Sequence, residues 1–274
     1  MKKQKAKYID IHAHIEHLRF DEDRDDVIKK CEENGVLVLT SGVNPETNKK
    51  ALELGEKYDN VLASFGLYPV DALKRESDFK SKDFDIDSEL KWIEENKDKC
   101  VAIGEIGLDY ADDEIRYDEN AREKQKKIFK KILKLAEKID KPVVIHSRKA
   151  EKDVLGVLDE DEFKNSHLKI VMHCFSGKKS LINKAIERGC YFSIPPVITR
   201  LEHFRMLVDM VSLDRLLTET DSPYLSPKQG ERNTPDNVAI SVKEIAKIKN
   251  IDEEDVRKRI LNNGAVVFGS GINE

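Results

Sequence analysis

Imidazole and carboxylate side chains recur where short apolar runs of the sequence end. The first run closes with Ile11-His12-Ala13-His14, and residues two apart on a strand share a face, so His12 and His14 can point at one ion. Imidazole binds zinc, manganese, iron and nickel. Taken alone, the pair is equally well explained as two polar neighbours. Four later runs end in the same way, with Glu105, His146, His173 and Asp221.

Five such endings that meet on one rim indicate a metal site better than five unrelated polar caps do. Four imidazoles and two carboxylates exceed what one tetrahedral ion needs. They match a site in which a carboxylate bridges two ions about 3.5–4 Å apart. Glu105 is the expected bridge, because its strand lies midway between the two histidine groups. The expected ligand sets are His12, His14 and Asp221 for one ion, and His146 and His173 for the other.

The chemistry of such a site is hydrolysis. Two divalent cations lower the pKa of a bound water toward about 7 and stabilise charge that develops on the substrate. Asp221 is expected to accept the proton of the attacking water. Asp221 and the expected bridging ligand Glu105 are the candidate catalytic residues. The sequence leaves the identity of the cations open among Zn, Mn, Mg, Fe and Ni.

The sequence pattern predicts alternating strands and helices, and these secondary-structure elements must position the candidate ligands. The strand-like runs are continuous and apolar, which is typical of strands covered on both faces. Eight strands that alternate with helices favour a closed (β/α)8 TIM-type barrel, whose active site lies at the C-terminal ends of the strands. An open doubly wound sheet is the alternative. The predicted strands are Tyr8–His14, Val36–Ser41, Val61–Gly66, Val101–Glu105, Pro142–His146, Lys169–Cys174, Cys190–Ile194 and Arg215–Thr220.

Several helices have recognisable ends. One is predicted over Asp21–Asn34, closing at Gly35. The others cover Gln125–Ile139, Leu181–Arg188, a segment from the Thr234-Pro235 cap to Ile248, and a last segment from Asp252 to about Gly264.

Composition narrows the class of protein. The 274 residues suit a single barrel domain over 1–274, and the net charge of −5 argues against a protein that wraps duplex DNA. Charged residues reach 37%, with an excess of Lys and Glu of the kind seen in hyperthermophile proteins. The four cysteines form no CxxC pair, and no signal peptide or apolar span appears. We expect a cytoplasmic protein with no membrane association and no obligate protein partner.

Together these motifs resemble the TatD family of metal-dependent hydrolases, over nearly the whole chain. The resemblance implies an amidohydrolase-like barrel, a pair of divalent cations held by the six residues above, and deoxyribonuclease activity of the 3′→5′ exonuclease type. Nucleic acid, as strand ends or single-stranded DNA, is then the expected substrate. The motifs are Ile11–His14, Ile103–Tyr110, Pro142–Arg148, His173–Gly177, Glu219–Leu225 and Arg232–Pro235.

Two departures from the family pattern bear on the substrate. Family members often carry His-Pro-His where this chain has Tyr68-Pro69-Val70, and an aromatic residue and an arginine where it has Ala111-Asp112-Asp113-Glu114. Both changes would weaken the grip on phosphate. A carbonyl-centred hydrolase of amides or aminoacyl esters is therefore one alternative, and a metal-bound interaction module is another.

Three further side chains are candidates for substrate binding. Arg148 and Arg232 could clamp a phosphate, or they could form salt bridges at the rim. Ser176 could donate a hydrogen bond to substrate or stabilise its own turn. Glu219 and Asp10 could each orient a histidine or form a structural hydrogen bond. His17, His167 and His203 are expected to be surface or loop residues.

Overall fold

Eight parallel strands form one sheet in the order β1 to β8, as the computed structural model shows. The structure describes residues 6–72, 83–269 and 272, so both ends of the predicted 1–274 domain lie partly outside it. The (β/α)8 barrel is confirmed, and the open doubly wound sheet is excluded. The strands are β1 Tyr8–Ala13, β2 Val36–Ser41, β3 Val61–Phe65, β4 Ala102–Gly107, β5 Val143–His146, β6 Ile170–Met172, β7 Tyr191–Ile194 and β8 Leu216–Thr218.

All eight predicted strands exist, because their apolar runs are buried on both faces, as in β2, where every residue is buried. The C-terminal bounds were less accurate. β6 ends at Met172 and β8 at Thr218, so His173 and Asp221 lie in the loops just beyond their strands. Glu105 and His146 lie within β4 and β5. The site residues therefore collect at the C-terminal rim, as predicted.

Helices cover the outside of the barrel. The α-helices are α1 Arg24–Glu33, α2 Pro45–Lys57, α3 Pro69–Ala72, α4 Ile86–Glu95, α5 Asp113–Arg116, α6 Glu119–Lys138, α7 Glu151–Leu158, α8 Asp161–Lys164, α9 Lys179–Glu187, α10 Glu202–Met210, α11 Val238–Lys249 and α12 Glu253–Phe268. Short 3-10 turns lie at Leu18–Phe20, Lys97–Lys99, Pro196–Thr199, Leu213–Arg215 and Pro235–Asn237. In the part of the chain described, none of the helices combines the length and the apolar character needed to cross a bilayer.

Several helix bounds correct the sequence prediction. α1 begins at Arg24 rather than Asp21, and α11 begins at Val238, after the 3-10 turn at Pro235–Asn237. α6 begins at Glu119 rather than Gln125, because the side chain of Asp118 accepts hydrogen bonds from the backbone of Asn120 and Ala121 and caps it there. α12 continues through Gly264 to Phe268. Gly264 does not end the helix: a Cβ atom there would lie 3.0 Å from Ile9 Cδ1, so this glycine allows close packing on β1.

The seam between β8 and β1 is closed by side-chain and loop hydrogen bonds. Thr218 Oγ1 donates to the Ile9 carbonyl at 2.6 Å. The Asp10 carboxylate accepts from the backbone N–H of Thr220 at 2.9 Å and from its hydroxyl at 2.5 Å. The Asp221 N–H donates to the His12 carbonyl at 2.9 Å. Of the two roles considered for Asp10, orientation of a histidine or a structural hydrogen bond, the structural hydrogen bond is the one seen. The seam also brings His12 and Asp221 together.

Candidate metal centre

Four side chains aim single ligand atoms at one point on the rim. The Nε2 atoms of His12 and His14 each lie 3.5 Å from Glu105 Oε2 and 3.5 Å from Asp221 Oδ1. Ligands about 2.1 Å from a tetrahedral ion lie roughly 3.4 Å apart, so this spacing fits one divalent cation. The donors predicted for the first ion are brought together, and one oxygen of Glu105 joins them.

The second oxygen of Glu105 faces the other two histidines. Glu105 Oε1 lies 2.6 Å from His146 Nδ1 and 3.8 Å from His173 Nε2. The carboxylate therefore lies between the two histidine pairs, which is the position that a bridging ligand requires.

His12 and His173 are closer to each other than the predicted division of ligands suggests. Their ring centroids are 3.9 Å apart, and His12, Glu105 and His173 place ligand atoms within 4.8 Å of one another. The buried Nε2 atom of His12 forms no hydrogen bond to any residue in the described ranges. A buried nitrogen whose lone pair forms no hydrogen bond, and which is surrounded by other potential ligand atoms, fits the role of a cation ligand.

The two histidines of β1 are oriented through their other ring nitrogens. Ser41 Oγ lies 3.1 Å from His12 Nδ1. His14 Nδ1 lies 3.0 Å from the Ser41 carbonyl and 3.1 Å from Glu16 Oε1. Thr40 Oγ1 in turn donates to Glu16 Oε2 at 2.5 Å. These contacts leave both Nε2 atoms directed at the carboxylates.

Carboxylates orient the other two histidines. Asp109 Oδ2 lies 2.9 Å from His146 Nε2, and Glu219 Oε2 lies 2.6 Å from His173 Nδ1. Glu219 also accepts from Ser193 Oγ at 2.6 Å and from the Cys174 N–H at 3.0 Å. Both roles considered for Glu219 are seen: its carboxylate contacts His173, and it forms structural hydrogen bonds within the barrel.

The electrostatics of the centre keep both candidate carboxylates ionised. Burial would raise the pKa of Glu105, but the charge of His146 and hydrogen bonds to histidines hold that pKa well below its usual range. The pKa of Asp221 is lowered in the same way: burial opposes the shift, and the hydrogen bond to His14 and the charge of His173 produce it.

The histidines divide by their surroundings. Burial lowers the pKa of His12, and the charge of His173 lowers it further. The ring is therefore neutral and can offer a lone pair to a cation. Burial opposes protonation of His146 too, but the charge of Glu105 and the hydrogen bond to Asp109 raise its pKa to about 10. A cation held by His146 would have to displace this proton.

The candidate substrate-binding side chains have different surroundings. Arg148 is exposed and forms no ion pair with any residue that the structure describes. Arg232 donates to both carboxylate oxygens of Asp23, at 2.9 and 2.5 Å, so the rim salt bridge is the alternative seen for it. Ser176 Oγ is exposed and donates to Glu151 Oε1 at 2.9 Å. Substrate contacts of all three stay predictions.

The sequence alone does not reveal several residues that contact the candidate ligands. Asp109, Glu16, Ser41 and Tyr68 all contact a histidine or its partner, and only Asp109 lay in a motif that was singled out for the centre. The signal available was position, since each follows or ends a predicted strand. His17 was expected at the surface or in a loop; it lies in the first loop but is buried, and its Nδ1 accepts from the Arg19 N–H.

Comparison with known proteins agrees with this geometry. A family model described as TatD related DNase matches residues 9–269. An uncharacterized metal-dependent hydrolase of Methanocaldococcus jannaschii is 36% identical over 263 residues, which cover 96% of this chain and 97% of that protein. The deoxyribonuclease TATDN3 of Homo sapiens is 33% identical, over 95% of this chain and 94% of that protein.

A solved structure agrees as well. The crystal structure of YJJV, a TatD homolog from Escherichia coli K12, has a TM-score of 0.83 and 26% identity, over 96% of this chain and 98% of that one. The chain therefore belongs to the TatD-related DNase family of metal-dependent hydrolases.

Proposed function

We propose that this chain is a single-domain, two-cation deoxyribonuclease that removes nucleotides from the 3′ ends of DNA strands. The observation that supports this most directly is the position of Glu105, whose two oxygens face two separate pairs of histidines. The family model and the printed name of the human relative support DNA as the substrate.

The residues present fit a pair of divalent cations. His12, His14 and Asp221 would hold one cation, His146 and His173 the other, and Glu105 both. When bound, such cations supply an activated water at neutral pH and neutralise charge on the phosphate. The chain itself supplies a proton acceptor: Asp221 is ionised and half-buried at the rim, so its carboxylate can take a proton from the attacking water and pass it to the leaving oxygen.

We infer that the substrate is a strand end rather than intact duplex. The ligand atoms lie at the mouth of a barrel whose charge is −5 overall, so phosphate contacts must be few and local. Arg148 lies two residues beyond the end of β5 and has no ion pair among the described residues, which leaves its guanidinium available to a phosphate.

The test is cleavage of a single-stranded oligonucleotide labelled at its 5′ end, with Mn²⁺ or Zn²⁺ added to the full chain. The proposal expects a ladder of stepwise shortened labelled products, and a Glu105→Gln variant that makes none. With a 3′ label, it expects early release of the labelled nucleotide. An intact oligonucleotide after long incubation with either ion would overturn the nuclease proposal.

The second candidate is a hydrolase of amides or aminoacyl esters on the same centre. It is favoured by Tyr68, which replaces a histidine of the family pattern, and by the exposed acidic residues Asp112, Asp113 and Glu114, which follow β4 in the chain. Release of amino acid from an aminoacyl ester, with no shortening of DNA, would select it.

A further inference from the structure

Tyr68 contacts the centre without being a candidate ligand. Its hydroxyl donates to Asp109 Oδ2 at 2.5 Å and lies 3.5 Å from His146 Nε2. Its ring meets the His146 ring edge to face, with centroids 4.9 Å apart. Burial and the charge of Asp109 raise the pKa of Tyr68, so the hydroxyl keeps its proton and acts as a donor.

The Asp109 carboxylate is held at both oxygens. Oδ1 accepts from the Ala111 N–H at 2.7 Å, and Oδ2 accepts from Tyr68 and from His146. The backbone of Asp109 is fixed by Gln125 of α6, which accepts from its N–H at 2.9 Å and donates to its carbonyl at 3.0 Å. Tyr68 is the one side-chain hydroxyl in this set, and together with the Ala111 N–H it fixes the rotation of the carboxylate toward His146.

The orientation of His146 determines what the ring can bind. Its Nδ1 faces Glu105 Oε1, so Nδ1 must carry the lone pair when a cation binds, and the remaining proton must reside on Nε2. That proton needs an acceptor in a fixed place, and Asp109 Oδ2 is the acceptor. If the carboxylate rotated away, the ring would lose both its tautomer and its direction.

We propose that Tyr68 is a positioning residue that, through Asp109, orients His146 and so sets the affinity of the second cation site. This rests on the proposed two-cation function. It assigns a role to the residue that replaces the usual histidine: the hydroxyl acts on the protein's own carboxylate, and the effect is confined to the His146 side, because His12 and His14 are oriented by Ser41 and Glu16 instead.

The experiment is a calorimetric titration of the chelator-treated full chain with Mn²⁺, with spin coupling between paired Mn²⁺ ions followed by electron paramagnetic resonance. Tyr68→Phe keeps the ring and removes the hydroxyl. We expect the tighter site to be unchanged, the second site to bind about 10–100-fold more weakly, and the coupled signal to need correspondingly more Mn²⁺.

Two comparisons make the result specific. Tyr58→Phe is the matched control, because its hydroxyl also donates to an aspartate, Asp25, but on the outside of the barrel. It should titrate like the wild type. Asp109→Asn should weaken the second site, and adding Tyr68→Phe to it should weaken that site no further, because the two residues act as one unit.

The outcomes separate this inference from the function on which it rests. A wild type that binds two ions, with a Tyr68→Phe variant that binds them equally well, overturns the role of Tyr68 and leaves the proposed function standing. Equal weakening of both sites also overturns it, since that is the mark of general damage. A wild type that binds fewer than two ions overturns both proposals.

Discussion

At the residue scale, three of the four histidines of the centre contact a carboxylate through their second ring nitrogen, and His12 contacts a hydroxyl instead. A serine hydroxyl contacts His12, a glutamate and a carbonyl contact His14, and the carboxylates of Asp109 and Glu219 contact His146 and His173. A carboxylate makes the coordinating nitrogen more basic than a hydroxyl does. His12, which contacts the hydroxyl, is therefore the least electron-rich of the four histidine rings.

Asp221 allows a test of whether a ligand also moves a proton. Its φ of 54° lies in the left-handed region, which asparagine tolerates, so Asp221→Asn preserves the backbone better than alanine would. We expect kcat to fall by about 10²–10⁴-fold even when Mn²⁺ is saturating, because an amide cannot accept the proton. Steady-state cleavage across a Mn²⁺ series measures this. Full recovery of kcat at high Mn²⁺ would show that Asp221 only binds the ion.

The sequence identified the six candidate ligands because each lies at or near the end of a predicted strand, where parallel strands share an edge. It proposed Glu219 as a residue that could orient a histidine, without saying which histidine, and it did not identify the role of Asp109. Asp109 reaches His146 across 37 positions of sequence, and Glu219 reaches His173 across 46, so each contact depends on the register of strands and on rotamers. The hydrophobic periodicity of the sequence carries no information on strand register or on side-chain rotamers.

At the element scale, the junction of β4 and β5 determines whether Glu105 can meet His146. The two strands pair through Gly107 and His146, and Gly107 has a φ of +138°. A Cβ atom at Gly107 would lie 2.0 Å from the His146 carbonyl oxygen, closer than any real side chain allows. This glycine therefore permits the two ligand-bearing strands to lie side by side.

Gly107→Ala should separate those strands. We expect the free energy of unfolding to fall by about 3 kcal/mol or more, from the clash and the disfavoured φ together. Urea denaturation measures it. Gly156→Ala is the control: Gly156 lies exposed within α7 with no atom near its would-be Cβ, so alanine should be neutral or stabilising by up to roughly 1 kcal/mol. Equal stability of the two variants would contradict the packing argument.

The elements were predicted best where one signal dominates. Continuous apolar runs predict buried strands, and all eight predicted strands are present in the structure. Helix ends depend on contacts that the local pattern does not contain. Gly264 reads as a stop, but it lies within α12 because β1 packs against it, and that neighbour is more than 250 positions away in sequence.

At the scale of the whole molecule, the excess of lysine and glutamate becomes a set of ion pairs between helices. Lys131 and Lys138 of α6 pair with Asp87 and Glu94 of α4 at 2.7 and 2.6 Å. On its other side, α6 reaches α7 and α8, and the pairs there are Lys126–Asp153, Lys130–Glu160 and Lys134–Glu162. Exposed pairs contribute about 0–1 kcal/mol each at 25 °C, but networks of them favour stability at high temperature.

We therefore expect a melting temperature above the range of about 45–65 °C typical of mesophile domains. Replacing Lys130 and Lys134 with glutamine should lower it, while the same change at Lys124 and Lys127 should not, since those two form no ion pair with a described residue. Differential scanning calorimetry compares the variants. A wild type that melts within the mesophile range would refute the expectation.

The same charge distribution constrains how the molecule binds DNA. A chain of net charge −5 repels a polyanion at a distance, so attraction must come from the cations and from few side chains at the barrel mouth. Each phosphate that a side chain neutralises on a single strand contributes about −0.7 to the slope of log K against log salt concentration. We expect a total slope of roughly −1 to −2 for the Mn²⁺-loaded Asp221→Asn variant, measured by fluorescence anisotropy with a single-stranded oligonucleotide.

The two arginines of the rim should then behave differently. Adding Arg148→Ala should make that slope shallower by about 0.7, because Arg148 is free to pair with a phosphate. Adding Arg232→Ala should leave the slope nearly unchanged, because its guanidinium is already paired with Asp23. A steep slope that Arg148→Ala does not alter would place the DNA on a surface other than the mouth of the barrel, away from Glu105 and its four histidines.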